Sequence, residues 1–263
     1  MISQVQKKHA YQQGFTLLEM IAVIVILAIV AVLGARFVTE SSRTYQAVQA
    51  RSVLINTGRQ AVESMSRQLR VSLSYSVRIT NGNTCLEFMP IVGGGYYLNP
   101  VPDAANGAPA ASIIAVSPHT VDLGLAQYVS IGAAASSEIY GVGAVSVAAL
   151  ASRLPRQLTL SANKSWQRNS LGQHFFLLDA PQAFCVVGTE LRLYPGQDIL
   201  LGAVDLGTSH SLLATNVTSP APFSISAGSE NRNAVISFNI TFAYSLSGET
   251  IALNQSVMLR NVP

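Results

Sequence analysis

Gln12–Phe37 reads QQGFTLLEMIAVIVILAIVAVLGARF, an apolar run with a single carboxylate, Glu19, and no further charge until Arg36. Its 21 residues from Phe15 to Ala35 contain no proline and one glycine, Gly34. As a helix they rise about 32 Å, close to the thickness of a bilayer's hydrocarbon core. A cleaved secretory signal fits poorly. The run is too long for such an apolar region, no small-x-small cleavage site follows it, and the change from polar to apolar is abrupt at Gly14–Phe15. A plain membrane anchor accounts for everything except Glu19. An acid deep in a bilayer costs roughly 2.5 to 3.5 kcal/mol on insertion scales, so it calls for a partner.

The whole chain has 263 residues, of which 49% are apolar and 11% charged. With Lys7 and Lys8 set aside, the 16 basic side chains become 14 against 13 acidic ones. A polyanion-binding field across the molecule is therefore not expected. The two lysines precede the apolar run and favour a cytoplasmic N-terminus, with the rest of the chain outside the inner membrane.

If the chain is cut after Gly14, Phe15 gains a free α-amine four residues from Glu19. A neighbouring copy in a staggered bundle of helices could offer that amine to Glu19, setting register while neutralising both charges. The stretch GFTLLE, residues 14–19, behind a short leader with Lys7 and Lys8, resembles the class III signal of type IV pilins and type II secretion pseudopilins. The resemblance implies that a membrane prepilin peptidase cuts between Gly14 and Phe15 and methylates the new terminus, and that Glu19 is needed for assembly. The implied partners are other pilins, met through their N-terminal helices, and an inner-membrane assembly platform. Many major pilins carry a proline in the middle of this helix. Here the first proline is Pro90, so a proline kink is in doubt.

Val48, Ile55, Val62 and Leu69 recur every seventh residue, with Met65 beside them, and predict an amphipathic extension of the same helix. Arg59, Glu63 and Arg67 add modest i,i+4 support. Arg43, Arg51, Arg59 and Arg67 step by eight, drift around the helix and read as solvated charge. The organisation expected is a leader over 1–14, a membrane or fibre-core helix over 15–36, an amphipathic extension over 37–73 and a β-rich periplasmic domain over 74–263. The fold class is α+β, a long N-terminal helix on antiparallel sheet, as in pilins. Expected strands or strand-like pieces are Ser74–Thr80, Cys85–Val92, Ile113–Val116, Tyr128–Ile131, Glu138–Tyr140, Leu158–Leu160, His174–Leu178, Ala183–Val187 and Leu191–Tyr194. Asn99–Ser112 reads as loop. The clearest feature is a tail hairpin, Ala234–Tyr244 and Ile251–Leu259 around Ser247-Gly248-Glu249.

The two cysteines, Cys85 and Cys185, lie in strand-like runs. They either bond, as an oxidising compartment favours, or remain buried thiols. No CxxC or Cys/His cluster suggests a metal, and no cofactor is expected. Four short motifs are similar to the minor subunits of MSHA-type pili, in the group of PilW-type minor pilins and the J-type minor pseudopilin: CLEFMPI from Cys85, Tyr96-Tyr97, FCVV from Phe184, and the terminal Arg260–Pro263. That likeness implies a low-abundance subunit that starts or caps a thin fibre.

Catalysis is not expected. His119 and Asp122 lie close in sequence, but no GxSxG-type nucleophile accompanies them. Gly93-Gly94-Gly95 lacks the helix and lysine of a phosphate-binding loop and reads as a turn. Arg153, Arg156, Lys164, Trp166 and Arg168 form a basic cluster with the only tryptophan. Single-stranded nucleic acid could stack there, but a solvated loop with Trp166 partly in the core is favoured, so no nucleic-acid partner is expected. Competing functional readings are a secretion pseudopilin, a fibre-tip adhesin and a plain membrane-tethered domain.

Overall fold

The structure, a computed structural model, describes residues 14–118, 125–226, 233–244 and 248–259. Helix α1 covers Leu17–Arg70 in 54 residues, with no proline to interrupt it. The chain divides into two compact units, Met1–Gln49 and Ala50–Pro263.

In the first unit every residue from Gly14 to Gln46 is exposed. Within it lies one helical stretch apolar and long enough to cross a membrane, with a mean hydropathy of 3.0 over 18 residues. A soluble helix could not leave so much aliphatic surface in water without a lipid or protein cover. Val48 belongs to this unit and is 63% exposed. The expected apolar stripe therefore enters the core only from Leu54, followed by Gly58, Ala61, Val62, Met65, Ser66 and Leu69. Those steps of three and four mark one helical face.

The second unit is built from fourteen described strands in three sheets, and every strand pairing is antiparallel. The first sheet orders β1 (Arg78–Thr80), β2 (Cys85–Phe88), β9 (Gln182–Val187), β10 (Glu190–Tyr194) and β11 (Ser211–Ala214). The second orders β12 (Phe223–Ser226), β13 (Ala234–Ala243) and β14 (Thr250–Leu259). Residues Leu54 to Leu69 of α1 bury their apolar face with Phe88, Phe184, Phe238 and Phe242 from these two sheets.

The third sheet orders β3 (Ile91–Tyr96), β8 (His174–Leu178), β5 (Tyr128–Ser130), β6 (Val147–Leu154), β7 (Gln157–Lys164) and β4 (Ala111–Ala115). Its two outer strands meet. Tyr97 bridges Val116, the Leu98 N–H donates to the Ala115 carbonyl at 2.9 Å, and the Ser117 N–H donates to the Tyr96 carbonyl at 2.8 Å. The sheet thus closes on a separate core that includes Val129, Leu158, Trp166, Phe175 and Leu177. Closure removes both edges. This body is inserted between β2 and β9, which pair directly at its root.

Several sequence expectations change. Gly93-Gly94-Gly95 is not a turn but part of β3, paired with β8. A Cβ on Gly94 would stand 2.9 Å from the Phe175 carbonyl oxygen, so this strand uses glycine for close approach. Glu138–Tyr140 is not a strand, because Ser136–Glu138 forms a 3-10 turn. The segment read as loop ends at Ala111, where β4 begins. β6, β11 and β12 have no counterpart among the expected strands. The tail hairpin occurs, with Ala234–Ala243 and Thr250–Leu259 in register over ten pairs. Lys7, Lys8, His9, His119, Asp122, Ser247 and Arg260–Pro263 lie outside the described residues.

Candidate functional site

The site with the most specific chemistry is the start of α1. Thr16 precedes the first helical residue, and its Oγ1 accepts the Glu19 N–H at 3.3 Å. The Thr16 carbonyl also accepts the N–H groups of Glu19, at 3.1 Å, and Met20, at 3.2 Å. Thr16 is therefore an N-cap that satisfies donors the first helical turn would leave open. Glu19 sits at the third helical position, where a carboxylate is favoured by the helix dipole. Thr-x-x-Glu ahead of an apolar run is a capping-box pattern, and that signal was available in the sequence but unused. Glu19 thus has a local role as well as any role between chains.

Gly14, Phe15 and Glu19 are all exposed. A Cβ on Gly14 would meet nothing within 4 Å among the described residues.

The cysteines are brought together. Cys85 and Cys185 are bonded, directly opposite each other on β2 and β9, with Cα atoms 4.1 Å apart. Both are fully buried. The bond joins the two strands from which the closed six-stranded body emerges.

The basic cluster is dispersed by its local chemistry. Trp166 is 2% exposed and belongs to the core of the closed sheet, so its ring offers no platform for a base. Arg168 is taken up by Glu138 in a two-pronged ion pair, with both N–O distances 2.8 Å. Burial tends to raise the Glu138 pKa, but Arg168, the Ala134 N–H and the Ser146 hydroxyl bring it below the ordinary carboxylate value. Lys164 donates to the Ala144 carbonyl, and burial lowers its pKa. Arg153 lies on β6, and Arg156 is exposed in the turn to β7.

A buried ion pair, Arg78–Glu87, has no sequence signal beyond its place in a hairpin. Arg78 Nε donates to Glu87 Oε2 at 2.7 Å, and Glu87 is 1% exposed. Arg78 also donates to the Leu201 carbonyl at 2.8 Å and lies 3.7 Å from the Tyr140 ring centroid. Burial raises the Glu87 pKa, opposed by the hydrogen bond and charge of Arg78. The pair ties β1 and β2 to Tyr140, near the root of the insertion. Among the described residues, no group of three His, Cys, Asp or Glu side chains could hold a metal ion.

Residues 9–35 match the family model of the prokaryotic N-terminal methylation motif. No curated protein and no solved structure gives a significant match to the chain. The motif covers the proposed cleavage bond, Thr16, Glu19 and the apolar run. It supports a type IV pilin-like or pseudopilin protein, and with the apolar helix it is consistent with membrane anchoring.

Proposed function

We propose that the chain is a non-enzymatic minor pilin, made as a prepilin, that serves the biogenesis of an MSHA-type pilus in the manner of MshO. It starts assembly or forms part of the fibre tip. The observation that carries this reading is the methylation motif at the head of a continuous helix whose apolar stretch is wholly exposed. An anchor alone needs neither the Gly14–Phe15 junction nor an acid at position 19. In this reading a prepilin peptidase cuts between Gly14 and Phe15. The helix holds the chain in the inner membrane with its second unit in the periplasm until an assembly platform extracts it. Glu19 then pairs with the N-terminal amine of a neighbouring subunit. A minor pseudopilin of type II secretion would share every one of these features and is the second reading.

N-terminal mass spectrometry of the protein from membranes and from sheared surface fibres tests this. A chain beginning at Phe15 in both fractions is expected. A processed chain in membranes alone favours an initiating or secretion role without surface display, and an intact leader in both overturns the prepilin reading. Because Glu19 also occupies a capping position, two variants separate its roles. Glu19→Gln keeps a polar group at the third helical position but carries no charge. If pairing with an amine matters, Gln should fail in incorporation as Ala does, while both are still processed. Recovery by Gln would reduce Glu19 to a helix-start residue.

A further inference from the structure

The sheet edges of the second unit are not alike. β1 has three residues, and one of them is Arg78. β11 has four, and its ladder slips between Leu191 and Arg192. β12 has four. β3 and β4 close on each other. Short length, charge, irregularity and closure are the ordinary ways of making an edge unreceptive. β14 has none of them. It is ten residues long, TIALNQSVML, without charge or proline, in an unbroken register with β13, and no described strand lies on its outer side.

The direction of its backbone groups follows from β13. The N–H groups of Asn239, Thr241 and Ala243 donate to Pro222, Ser219 and Asn216, away from β14. The bonded pairs across the hairpin are therefore Phe238–Gln255, Ile240–Leu253 and Phe242–Ile251. Thr250, Ala252, Asn254, Ser256 and Met258 turn their N–H and C=O outward, and all five are exposed. Beside this edge is a groove of about 610 Å³ lined by Leu253, Asn254 and Gln255 of β14 and by Arg59, Glu63, Arg67 and Arg70 of α1. The three arginines are exposed and make no ion pair among the described residues.

We propose that β14 receives an extended strand of another polypeptide, adding a fourth strand to its sheet, and that this strand carries acidic side chains toward α1. The backbone supplies the pairing, and alternate side chains, all on one side of an added strand, meet the groove. Three cations against one Glu63 select for acid there. A second copy of this chain fits less well, since its groove would bring the same excess of arginine. The proposal supplies a contact surface for the assembly reading, but its test needs neither processing nor a fibre, so either idea can fail alone.

The test uses the purified full-length chain in detergent and a fluorescent ten-residue peptide of alternating Val and Glu. Its controls are the Val/Lys peptide and a Val/Glu peptide N-methylated at alternate amides. The acidic peptide is expected to bind about tenfold tighter than either control, the equivalent of about 1.4 kcal/mol. Asn254→Pro deletes an outward N–H and no bond to β13, so it should abolish binding, while Asn254→Ala should not. Arg59→Glu with Arg67→Glu should transfer preference to the lysine peptide. Absence of binding, equal binding of the N-methylated peptide, or indifference to Asn254→Pro would overturn the proposal. So would a wild-type dimer that Asn254→Pro makes monomeric, because the edge would then belong to a second copy.

Discussion

At Gly58, α1 lies close against the tail hairpin, and its replacement by alanine sets two effects of known size against each other. Alanine in a helix interior is favoured over glycine by about 1 kcal/mol. Against this, a Cβ at position 58 would stand 2.6 Å from Leu253 Cδ1 and 2.8 Å from Phe242 Cε2. The Leu253 methyl ends a flexible, partly buried side chain and can turn away. Phe242 is fully buried within the main core and has nowhere to go. Forcing a methyl group into a filled core costs roughly 1 to 3 kcal/mol. Overpacking therefore wins, and Gly58→Ala should destabilise the second unit by about 1 kcal/mol. For a unit of this size that lowers Tm by about 2–4 °C. The assay is thermal unfolding of the full-length chain in detergent, followed by near-ultraviolet circular dichroism, which reports the packed aromatic core rather than α1. A double-mutant cycle with Leu253→Ala identifies the cause. Truncating Leu253 opens part of the space, so the penalty of Gly58→Ala should shrink, with a coupling of about 0.5 kcal/mol or more. A higher Tm for Gly58→Ala with no coupling to Leu253 would mean that helix propensity decides and that the close approach is not there.

The other stability predictions concern the root of the insertion. Arg78→Ala leaves the buried Glu87 carboxylate uncompensated and should cost about 3 to 5 kcal/mol near neutral pH. Because the folded pKa of Glu87 is raised, its contribution is fully present below the unfolded value and is lost as pH rises through the folded one. The Arg78→Ala penalty should therefore shrink toward acid pH in denaturant titrations, and a penalty independent of pH would refute the assignment. Glu87→Gln, with no charge to bury, should remove that pH dependence. Reducing the Cys85–Cys185 bond opens a loop with a sequence separation of 100 and should cost about 2 to 5 kcal/mol. Equal denaturant midpoints with and without reductant would contradict this.

The parts of this fold legible in the sequence are those whose cause is local. An unbroken apolar run forms α1 wherever the rest of the chain goes. The tail hairpin follows from alternation over Ala234–Ala243 and Thr250–Leu259, because period two can bury only one face of a strand. The parts that were missed depend on distant partners. Gly93–Gly95 has the composition of a turn, and its pairing with the distant β8, close enough to leave no room for a Cβ at Gly94, makes it a strand. β6 is rich in alanine, which has a weak intrinsic preference for a strand, and is held by β5 and β7 on its two sides. Glu138–Tyr140 looked strand-like because Ile139 and Tyr140 are residue types that favour strands, yet the segment lies in and after a 3-10 turn from which Glu138 reaches Arg168, thirty residues on. Trp166, expected partly in the core, lies outside the named strands and goes further than expected, with its ring in the core of the closed sheet.

The cysteines join these two kinds of information. Neither residue's neighbourhood says how the chain between them is arranged. Their pairing as opposite residues on adjacent antiparallel strands says that the chain leaving β2 must return beside it at β9. Everything from Met89 to Pro181 is then an excursion with a fixed root, and its own core does not include α1. The α1 face is filled instead by β2, β9 and the tail hairpin. Changes inside the closed sheet can therefore alter its surface without repacking the helix face, provided that the root stays fixed. On this division of labour, Cys85–Cys185 and Arg78–Glu87 fix the root from which the closed sheet leaves the helix-bearing part, and the outer edge of β14 belongs to that helix-bearing part. Asn254→Pro should consequently leave the near-ultraviolet signal of the closed sheet unchanged while it abolishes strand binding.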